Sequence, residues 1–282
     1  MQGTKELAST ELPKVFRLTT RGTKMSSRMK KKQRAKNLAV LVLGGGRGIG
    51  RTIAIALGRQ RSSVVINYLR NDTAARRTAM LVNRAGGQAY RIKANVANAK
   101  EVEEIFEFVR KKVGVLDVLI YSASLGGFQS LLRTSRLAID RTIHLNATAF
   151  INCVQVAVPI MPRGARIIAL SSLGSSRCIE DYGAIGVAKA ALEAAVRYLA
   201  YDLGRKGITV NAVSGGPVVT NGLSQFPNYE KRKANCIKLT PLGRLGRPAD
   251  LAEIAVFLAT NKSQWMSGQT LIADGGLSLG LL

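Results

Sequence analysis

Tyr182 and Lys189 are the residues of this chain whose types and spacing point most directly to chemistry. They lie seven residues apart in EDYGAIGVAKAALEAAVRYLA, residues 180–200, a segment with helical character. Seven residues make about two turns of an α-helix, so the two side chains would share a face about 10 Å apart along the axis. A tyrosine hydroxyl can donate a hydrogen bond to an oxygen that gains charge, and a nearby ammonium favours its ionisation. An apolar residue, Ile185, lies one turn nearer the lysine.

A glycine-rich turn follows the first apolar run of the chain. The sequence GGGRGIG at residues 44–50 is followed by an apolar stripe that repeats every four residues. Without side chains, Gly44, Gly48 and Gly50 leave backbone N–H groups free to meet a pyrophosphate at the N-terminus of a helix. The pattern predicts a dinucleotide site, to which Ile49 also belongs.

Two arginines suggest which dinucleotide binds. The second apolar run ends in INYLRN, so Arg70 lies near the place where NAD enzymes carry an acid for the ribose 2′-hydroxyl. Arg47 lies inside the glycine turn. Both would attract a 2′-phosphate, so we expect NADPH as the cofactor.

The positioning elements follow from the alternation of short β-branched runs with longer helical segments. Near-continuous apolar strands that alternate with helices are typical of a parallel sheet covered on both faces. The sequence predicts a single doubly wound α/β domain of the Rossmann type at 38–282, with about seven parallel strands and helices on both faces. The predicted strands are 38–43, 63–68, 89–96, 117–123, 165–172, 208–214 and 269–276.

Composition excludes several other classes. The chain has 282 residues, 46% of them hydrophobic, and no uninterrupted apolar run of membrane-spanning length, so we expect no membrane span. Cys153, Cys178 and Cys236 are few and far apart, which argues against a disulfide framework or a zinc site and for a reducing, cytoplasmic location. With His144 as the only histidine, we expect no metal site and no Ser-His-Asp hydrolase.

The net charge of +25 is extreme. Residues 1–37 hold eleven Lys/Arg and two Glu, a net of +9, which leaves +16 for the remainder. We interpret 1–37 as a basic, disordered N-terminal extension; organelle targeting by this segment and a start at Met25 or Met29 stay open. Such charge attracts acidic partners, although a nucleic-acid ligand is not expected because no basic motif is interleaved with aromatic residues.

Several motifs together resemble the short-chain dehydrogenase/reductase superfamily over residues 38–282. They are the glycine spacing, KANV, LDVLIYSA, LSS, the Tyr/Lys helix, VNAVSGG and the final DGG. Within it, SSLGSSRCIEDY, IGVAKAALEA, VNAVSGG, QFPN and Tyr-x6-Lys resemble the bacterial NADPH-dependent enoyl-acyl carrier protein reductase III. That resemblance implies an acyl carrier protein or CoA thioester as substrate, and a homo-oligomer, either a tetramer or a dimer.

The resemblance also implies residue roles. Tyr182 would stabilise an enolate, Lys189 would bind the nicotinamide ribose, Ser172 matches the active-site serine, and Asn146 matches the asparagine that supports the lysine. The implied cofactor-binding residues are Gly44, Arg47, Gly48, Ile49, Gly50, Arg70, Asn95, Val96, Ser122, Lys189, Gly216 and Thr220.

Three positions depart from the superfamily pattern. Leu43 replaces a threonine, Tyr121-Ser122-Ala123-Ser124 replaces Asn-Asn-Ala and a small residue, and Gly215 replaces a proline, as in the enoyl reductase subgroup. The second departure would suit a specialised pathway enzyme.

The tyrosine spacing bears on the reaction. An enoyl thioester takes hydride at C3 while charge develops on the C1 oxygen, so its oxyanion donor must stand further from the nicotinamide than in a ketone reductase. A tyrosine at 182 instead of 185 fits that need, and we expect NADPH-dependent reduction of the 2,3 double bond of an enoyl thioester in fatty acid biosynthesis. Two alternatives stay open: a carbonyl reductase of 3-ketoacyl or specialised-metabolite substrates, and a non-catalytic cofactor-binding or nucleic-acid-associated protein.

Overall fold

The computed structural model describes residues 37–220 and 222–280. Its centre is one parallel sheet of seven strands in the order β3-β2-β1-β4-β5-β6-β7. The strands are β1 Ala39–Leu43, β2 Ser63–Tyr68, β3 Gln88–Lys93, β4 Val118–Tyr121, β5 Arg166–Ser172, β6 Thr209–Gly215 and β7 Thr270–Ala273. The predicted doubly wound fold is therefore confirmed, with all seven strands where the apolar runs indicate them.

Helices connect the strands and cover both faces of the sheet. They are α1 Gly48–Arg59, α2 Asp72–Arg84, α3 Ala99–Val113, α4 Arg136–Ile143, α5 Ala149–Ala157, α6 Gly183–Gly204, α7 Tyr229–Leu239 and α8 Pro248–Leu258. Asparagine side chains cap α2 and α3, and Pro248 occupies the first turn of α8, where a missing N–H costs nothing.

The core consists of two apolar clusters, one on each face of the sheet. Alternate residues of β1 point to opposite faces, so Leu41 and Leu43 join the cluster beneath α3, α5 and α6, whereas Val40 and Val42 join the cluster beneath α1 and α8. Burial on both faces explains why the central strands are almost continuously apolar.

The strand order reverses between β1 and β4, and this reversal opens a crevice at the carboxyl ends of the strands. β1 pairs with β4 so that Leu43 lies opposite Tyr121, and the Ser122 N–H donates to the Leu43 carbonyl at 2.9 Å. On the other side, β5 and β6 end together at Ser172 and Gly215. The glycine turn and the predicted catalytic segments therefore open onto one edge of the sheet.

Two sequence expectations need comment. β3 ends at Lys93, so Asn95 and Val96 lie in the turn beyond it and not in the strand. The extension predicted at 1–37 lies outside the described residues, apart from Asn37, and stays a prediction.

One helical stretch, Arg136–Ile160, is long and apolar enough to cross a membrane by length and composition alone. It comprises α4, a π-helical turn at His144–Thr148, α5 and a final 3-10 turn. Phe150, Cys153 and Val154 of this stretch are buried in the larger core cluster, and the core helix of a soluble protein passes the same test. The expected lack of a membrane span stays a prediction.

Candidate active site

The glycine turn leaves a cradle that side chains would fill. Gly44 and Gly48 have φ angles of 77° and 56°, in the left-handed region that favours glycine. A Cβ on Gly50 would lie 2.4 Å from the Gly44 carbonyl oxygen, and one on Gly44 would lie 2.8 Å from the Ala123 nitrogen. The turn runs directly into α1, whose N-terminus has no side-chain cap. The described residues thus fit a dinucleotide pyrophosphate, bound by the free N–H groups of this turn.

Buried polar side chains hold the cradle in place. Arg51 donates to the Gly46 carbonyl from Nε and Nη2, at 3.3 and 2.9 Å, and Thr78 donates to the same oxygen at 3.0 Å. The Asn67 side chain accepts from the Gly44 N–H at 3.4 Å. Burial lowers the Arg51 pKa, with a further contribution from the nearby charge of Arg77. Because the turn is held from two sides, it needs little reorganisation to bind phosphate.

The two arginines proposed to select the cofactor are both exposed. Arg47 immediately precedes α1, and Arg70 follows the end of β2. Neither side chain has a hydrogen bond or ion pair among the described residues, so both are free to bind a phosphate.

The acid nearest the end of β2 is already neutralised. Asp72 accepts hydrogen bonds from Tyr68, Arg76 and Arg91. These bonds, with the Tyr68 contact as the largest cause, lower the pKa of Asp72 to about 2. An acid held in this way does not offer its oxygens to a ribose hydroxyl, so the surroundings of β2 favour a 2′-phosphate.

The residues expected at the adenine lie in the turn after β3. Val96 is buried, and the Asn95 backbone N–H donates to Glu101 at 2.7 Å. The Asn95 side chain accepts from the Ala97 N–H, which fixes the turn internally.

The segment Tyr121-Ser122-Ala123-Ser124, which departs from the superfamily pattern, forms hydrogen bonds of its own. Tyr121 is fully buried, donates to the Leu145 carbonyl and packs edge-on against Phe150. Ser124 donates to the Asn146 side chain at 2.8 Å, and Asn146 donates to the Leu125 carbonyl at 2.7 Å. Asn146 therefore anchors the loop after β4, and its side chain makes no described contact with the predicted catalytic lysine.

Tyr182 does not lie inside the helix, contrary to the spacing argument. It is the residue before α6, with φ −116° and ψ 7°, and it accepts the first helical bond from Gly186. Its ring lies over Gly174, where a Cβ would approach the ring carbons to 2.5 Å. The ring is therefore turned back towards the end of β5, and helical spacing alone does not locate its hydroxyl.

Ser172 and Tyr182 come together at that end. Burial raises the pKa of Tyr182, and a hydrogen bond with Ser172 opposes the rise. Ser172 accepts from the Gly174 N–H at 3.3 Å, which fixes its hydroxyl at the end of β5. With its pKa raised, Tyr182 is a neutral hydrogen-bond donor, not the ionised group that a nearby lysine was expected to favour.

Lys189 lies on α6 and is 4% exposed. Its ammonium donates to the Leu170 carbonyl of β5 at 2.8 Å. Burial lowers its pKa to about 8, and the negative charge of Glu193 opposes the shift. Glu193 in turn accepts a hydrogen bond from Ser171, so the lysine and its counter-charge are tied to the same strand.

Ile185 fills the position one turn from Lys189. It is 5% exposed and packs so closely on Gly126 that a Cβ there would lie 2.2 Å from Ile185 Cγ1. No hydroxyl can act from this position, as the sequence indicated.

Two predicted residues complete the crevice. The Gly216 N–H donates to the Ala273 carbonyl, and a Cβ on Gly216 would lie 2.9 Å from the Asp274 Cβ. Thr220 comes close to the glycine turn, since a Cβ on Gly48 would lie 3.9 Å from Thr220 Cγ2. Among the residues with described positions, no group of three His, Cys, Asp or Glu could hold a metal ion.

An aromatic pair that the sequence reasoning did not assign lies beside Tyr182. Phe128 and Phe226 stack with ring centroids 3.7 Å apart, and both rings lie about 6 Å from the Tyr182 ring. Phe226 belongs to the QFPN motif that carried the family resemblance, but neither its partner nor its contact with the tyrosine could be read from spacing.

The basic triplet Lys231–Lys233 is less free than its sequence suggests. Arg232 forms ion pairs with Glu180 at 3.0 Å and Asp181 at 3.1 Å, just before Tyr182. Lys233 pairs with Glu230, which leaves Lys231 exposed and without a described partner. Arg232 thus ties α7 to the start of α6 and is not available to an acidic carrier.

Comparison with known proteins agrees with this arrangement. The profile of a family described as "Enoyl-(Acyl carrier protein) reductase" matches residues 44–278. The 1-cyclohexenylcarbonyl-CoA reductase of Streptomyces collinus is 36% identical over 241 residues, 85% of this chain and 86% of that protein.

Solved structures of reductases are also similar to this chain. The NADP-bound angucycline C-6 ketoreductase LanV matches with a TM-score of 0.80 and 32% identity over 86% of this chain and 95% of its own. A double mutant of a Serratia marcescens short-chain dehydrogenase/reductase matches with a TM-score of 0.81 and 28% identity, over 86% and 98% of the two chains. The relatives are reductases of other kinds, so the closer likeness to enoyl-acyl carrier protein reductase III is not confirmed. The chain is an oxidoreductase and belongs to the short-chain dehydrogenase/reductase superfamily.

Proposed function

We propose that this protein is an NADPH-dependent reductase of specialised metabolism whose substrate places a carbonyl oxygen at Ser172 and Tyr182. The observation that carries the proposal is that the Tyr182 ring is turned back over Gly174 towards Ser172 at the end of β5, where burial raises the pKa of the phenol and keeps it a neutral donor for a substrate oxygen. The relatives support a specialised-metabolite reductase, the alternative kept open above, better than a fatty acid enoyl-acyl carrier protein reductase.

The cofactor assignment rests on the glycine cradle and the free arginines. Gly44, Gly48 and Gly50 would hold the pyrophosphate, Arg47 and Arg70 would hold the 2′-phosphate, and NADPH when bound would supply a hydride. The NADP in LanV supports this assignment.

The side chains act on the substrate oxygen. Tyr182 donates its proton or a hydrogen bond as negative charge develops there, and Ser172 keeps the hydroxyl aimed at it. The Lys189 ammonium, buried beneath them, adds a positive charge that stabilises the developing anion.

Such a site can reduce either the C=O bond of a ketone or the conjugated C=C bond of an enoyl thioester. Ile185 favours the conjugated double bond. In that reaction the hydride would go to C3, the electron pair would move to the C1 oxygen, and the enolate would then take a proton from water at C2. The oxygen that needs a donor lies two carbons from the hydride acceptor, and the position nearest the lysine carries no hydroxyl. The name of the Streptomyces collinus relative describes a substrate of this kind, a cyclohexenyl thioester.

Ketone reduction is the second candidate. The influence of Ser172 on the Tyr182 pKa supports a tyrosine hydroxyl near the serine despite the displaced position, where a ketone oxygen could be protonated. The angucycline C-6 ketoreductase supports this reading.

NADPH oxidation measured with crotonyl-CoA and with acetoacetyl-CoA tests the proposal and separates the two bonds. We expect faster turnover of crotonyl-CoA, and faster turnover of acetoacetyl-CoA would establish the second candidate. Tyr182→Phe should lower kcat by roughly 10²–10³ with the better substrate, the usual loss of one oxyanion donor. The matched control is Tyr198→Phe, which changes an exposed tyrosine on α6 and should keep full activity. Equal activities of the two variants would remove Tyr182 from the mechanism.

We also propose a CoA or acyl carrier protein thioester as substrate, a cytoplasmic location, and assembly as a dimer or tetramer. Val187, Tyr198 and Tyr201 lie on one face of α6 and are 47%, 74% and 85% exposed, which supports an interface between copies. Light scattering should give two or four times the 30.3 kDa of one chain, and a monomer at micromolar concentration would contradict the assembly.

A further inference from the structure

Phe128 and Phe226 lie outside both core clusters, although they make the closest ring contact described in the molecule. Their planes are 26° from parallel at a centroid distance of 3.7 Å, and both are only partly buried. They come from two irregular segments, the loop after β4 and the turn before α7. A pair that served only packing would join a core cluster, whereas this pair closes the space beside Tyr182.

The three rings are aligned. The Tyr182 plane is 20° from that of Phe128 and 10° from that of Phe226, with centroid distances of 6.1 and 5.9 Å. A flat group that enters between the two phenylalanines would therefore lie parallel to the Tyr182 ring and about 6 Å from it. That distance suits a ring joined directly to a carbonyl whose oxygen receives the tyrosine proton.

One ring is fixed, and the other has freedom to move. The Arg232 guanidinium lies 5.5 Å over Phe226, and Arg232 is itself held by Asp181 and by the Pro227 carbonyl. Phe128 instead follows Gly127, where an added Cβ would meet nothing within 4 Å. A ring can enter only if Phe128 moves away from Phe226, and the open space at Gly127 leaves room for that movement.

We infer that Phe128 and Phe226 form a slot that takes a flat, unsaturated ring of the substrate and so selects ring-bearing acyl groups over open chains. The inference rests on the proposed function, since it places the carbonyl of that ring at Tyr182. Entry of a ring replaces one stacked contact by two, which favours planar groups over saturated rings of the same size.

Binding to the NADP⁺ complex, measured by calorimetry, tests the slot without any turnover. The probes are benzoyl-CoA, cyclohexylcarbonyl-CoA and butyryl-CoA, which share one carrier and differ only in the acyl group. The wild-type protein should bind them in that order of decreasing affinity. Phe226→Leu and Phe128→Leu keep an apolar side chain but lose the flat face, and each should weaken benzoyl-CoA binding by about five- to tenfold while butyryl-CoA changes less than about twofold. Phe257→Leu, the same change on α8 at 37% exposure, is the matched control and should alter neither.

The outcomes distinguish a failure of the slot hypothesis from a failure of the proposed function. Equal losses for both ligands, no loss for either, or a wild-type protein without preference for benzoyl-CoA would each overturn the slot. A ring preference that depends on the phenylalanines, in a protein that reduces neither 1-cyclohexenylcarbonyl-CoA nor a ring-bearing ketone, would refute the proposed function alone. Circular dichroism and NADPH affinity of the two slot variants show that any loss is local.

Discussion

Gly174→Ala is the sharpest test of how the tyrosine is positioned. An added Cβ would lie 2.5 Å from Cδ1 and Cε1 of Tyr182, whereas carbon atoms in contact stay at about 3.5 Å or beyond. The ring must therefore move by about 1 Å. The backbone of Gly174 has little room to take up this shift, because its carbonyl oxygen packs closely on Gly186 of α6, at a position where an added Cβ would come within 2.7 Å.

The displacement separates the Tyr182 hydroxyl from Ser172 and from the substrate oxygen. A misplacement of about 1 Å can cost on the order of 10² in rate, and we expect kcat/KM to fall by that factor. Overpacking should cost about 1–3 kcal/mol of unfolding free energy, so the variant should still fold. The NADPH affinity should stay near that of the wild type, because the glycine cradle lies on β1 and α1.

The assay is NADPH oxidation with the better of crotonyl-CoA and acetoacetyl-CoA, beside thermal unfolding by circular dichroism. Gly204→Ala is the matched control, since a Cβ at that end of α6 would meet nothing within 4 Å. It should leave kcat/KM unchanged and not lower Tm. If Gly174→Ala kept kcat/KM within about twofold of the wild type, the ring would not be held by this contact and the positioning argument would fail.

The remaining predictions concern the cofactor, pH and charge. Arg47→Ala combined with Arg70→Ala should raise the KM for NADPH far more than that for NADH; equal effects would show that the arginines do not bind the 2′-phosphate. Since burial lowers the Lys189 pKa to about 8, its charge is lost as pH rises through that value, so kcat/KM should fall above pH 8; a profile flat to about pH 9.5 would contradict a role for the charged lysine. Added salt should lower kcat/KM for an acyl carrier protein thioester much more steeply than for an uncharged small thioester, because the Debye length falls from about 10 Å at 0.1 M to about 3 Å at 1 M; parallel curves would exclude electrostatic steering.

The sheet could be predicted from sequence because burial on both faces makes its strands continuously apolar. Val40 and Leu41 face opposite clusters, yet both must be apolar, so the run stands out without any periodicity. The glycine cradle was equally accessible, since the positive φ angles of Gly44 and Gly48 require the residue type itself.

The position of Tyr182 could not be derived from sequence. The helical spacing to Lys189 assumes that both residues lie on α6, but the helix begins at Gly183. Whether the preceding residue turns outward or back depends on its packing against Gly174, a contact between separate segments. The stack of Phe128 on Phe226 was hidden for the same reason, since 98 residues of chain separate the two rings.

Part of the positive charge of the described domain lies around the proposed 2′-phosphate site. Near the proposed 2′-phosphate site, Arg76 and Arg91 bind Asp72, the acid that could otherwise repel a phosphate, and Arg47 and Arg70 remain free. Such an arrangement concentrates positive potential where the cofactor's most negative end would lie. At the substrate side, the arginine charge is instead neutralised by ion pairs within the protein.

Beside the proposed substrate site, Arg232 forms ion pairs with Glu180 and Asp181 and lies over the Phe226 ring. These contacts hold α7 and the Phe226 ring against the start of α6. This pairing holds the guanidinium, in a side chain that is 24% exposed, over the Phe226 ring. Of the basic triplet on this helix, only Lys231 would therefore be free to bind the proposed acidic carrier. The substrate side is consequently built more for an apolar acyl group than for an anion, which agrees with the aromatic slot and leaves the phosphate-binding charge to the cofactor side.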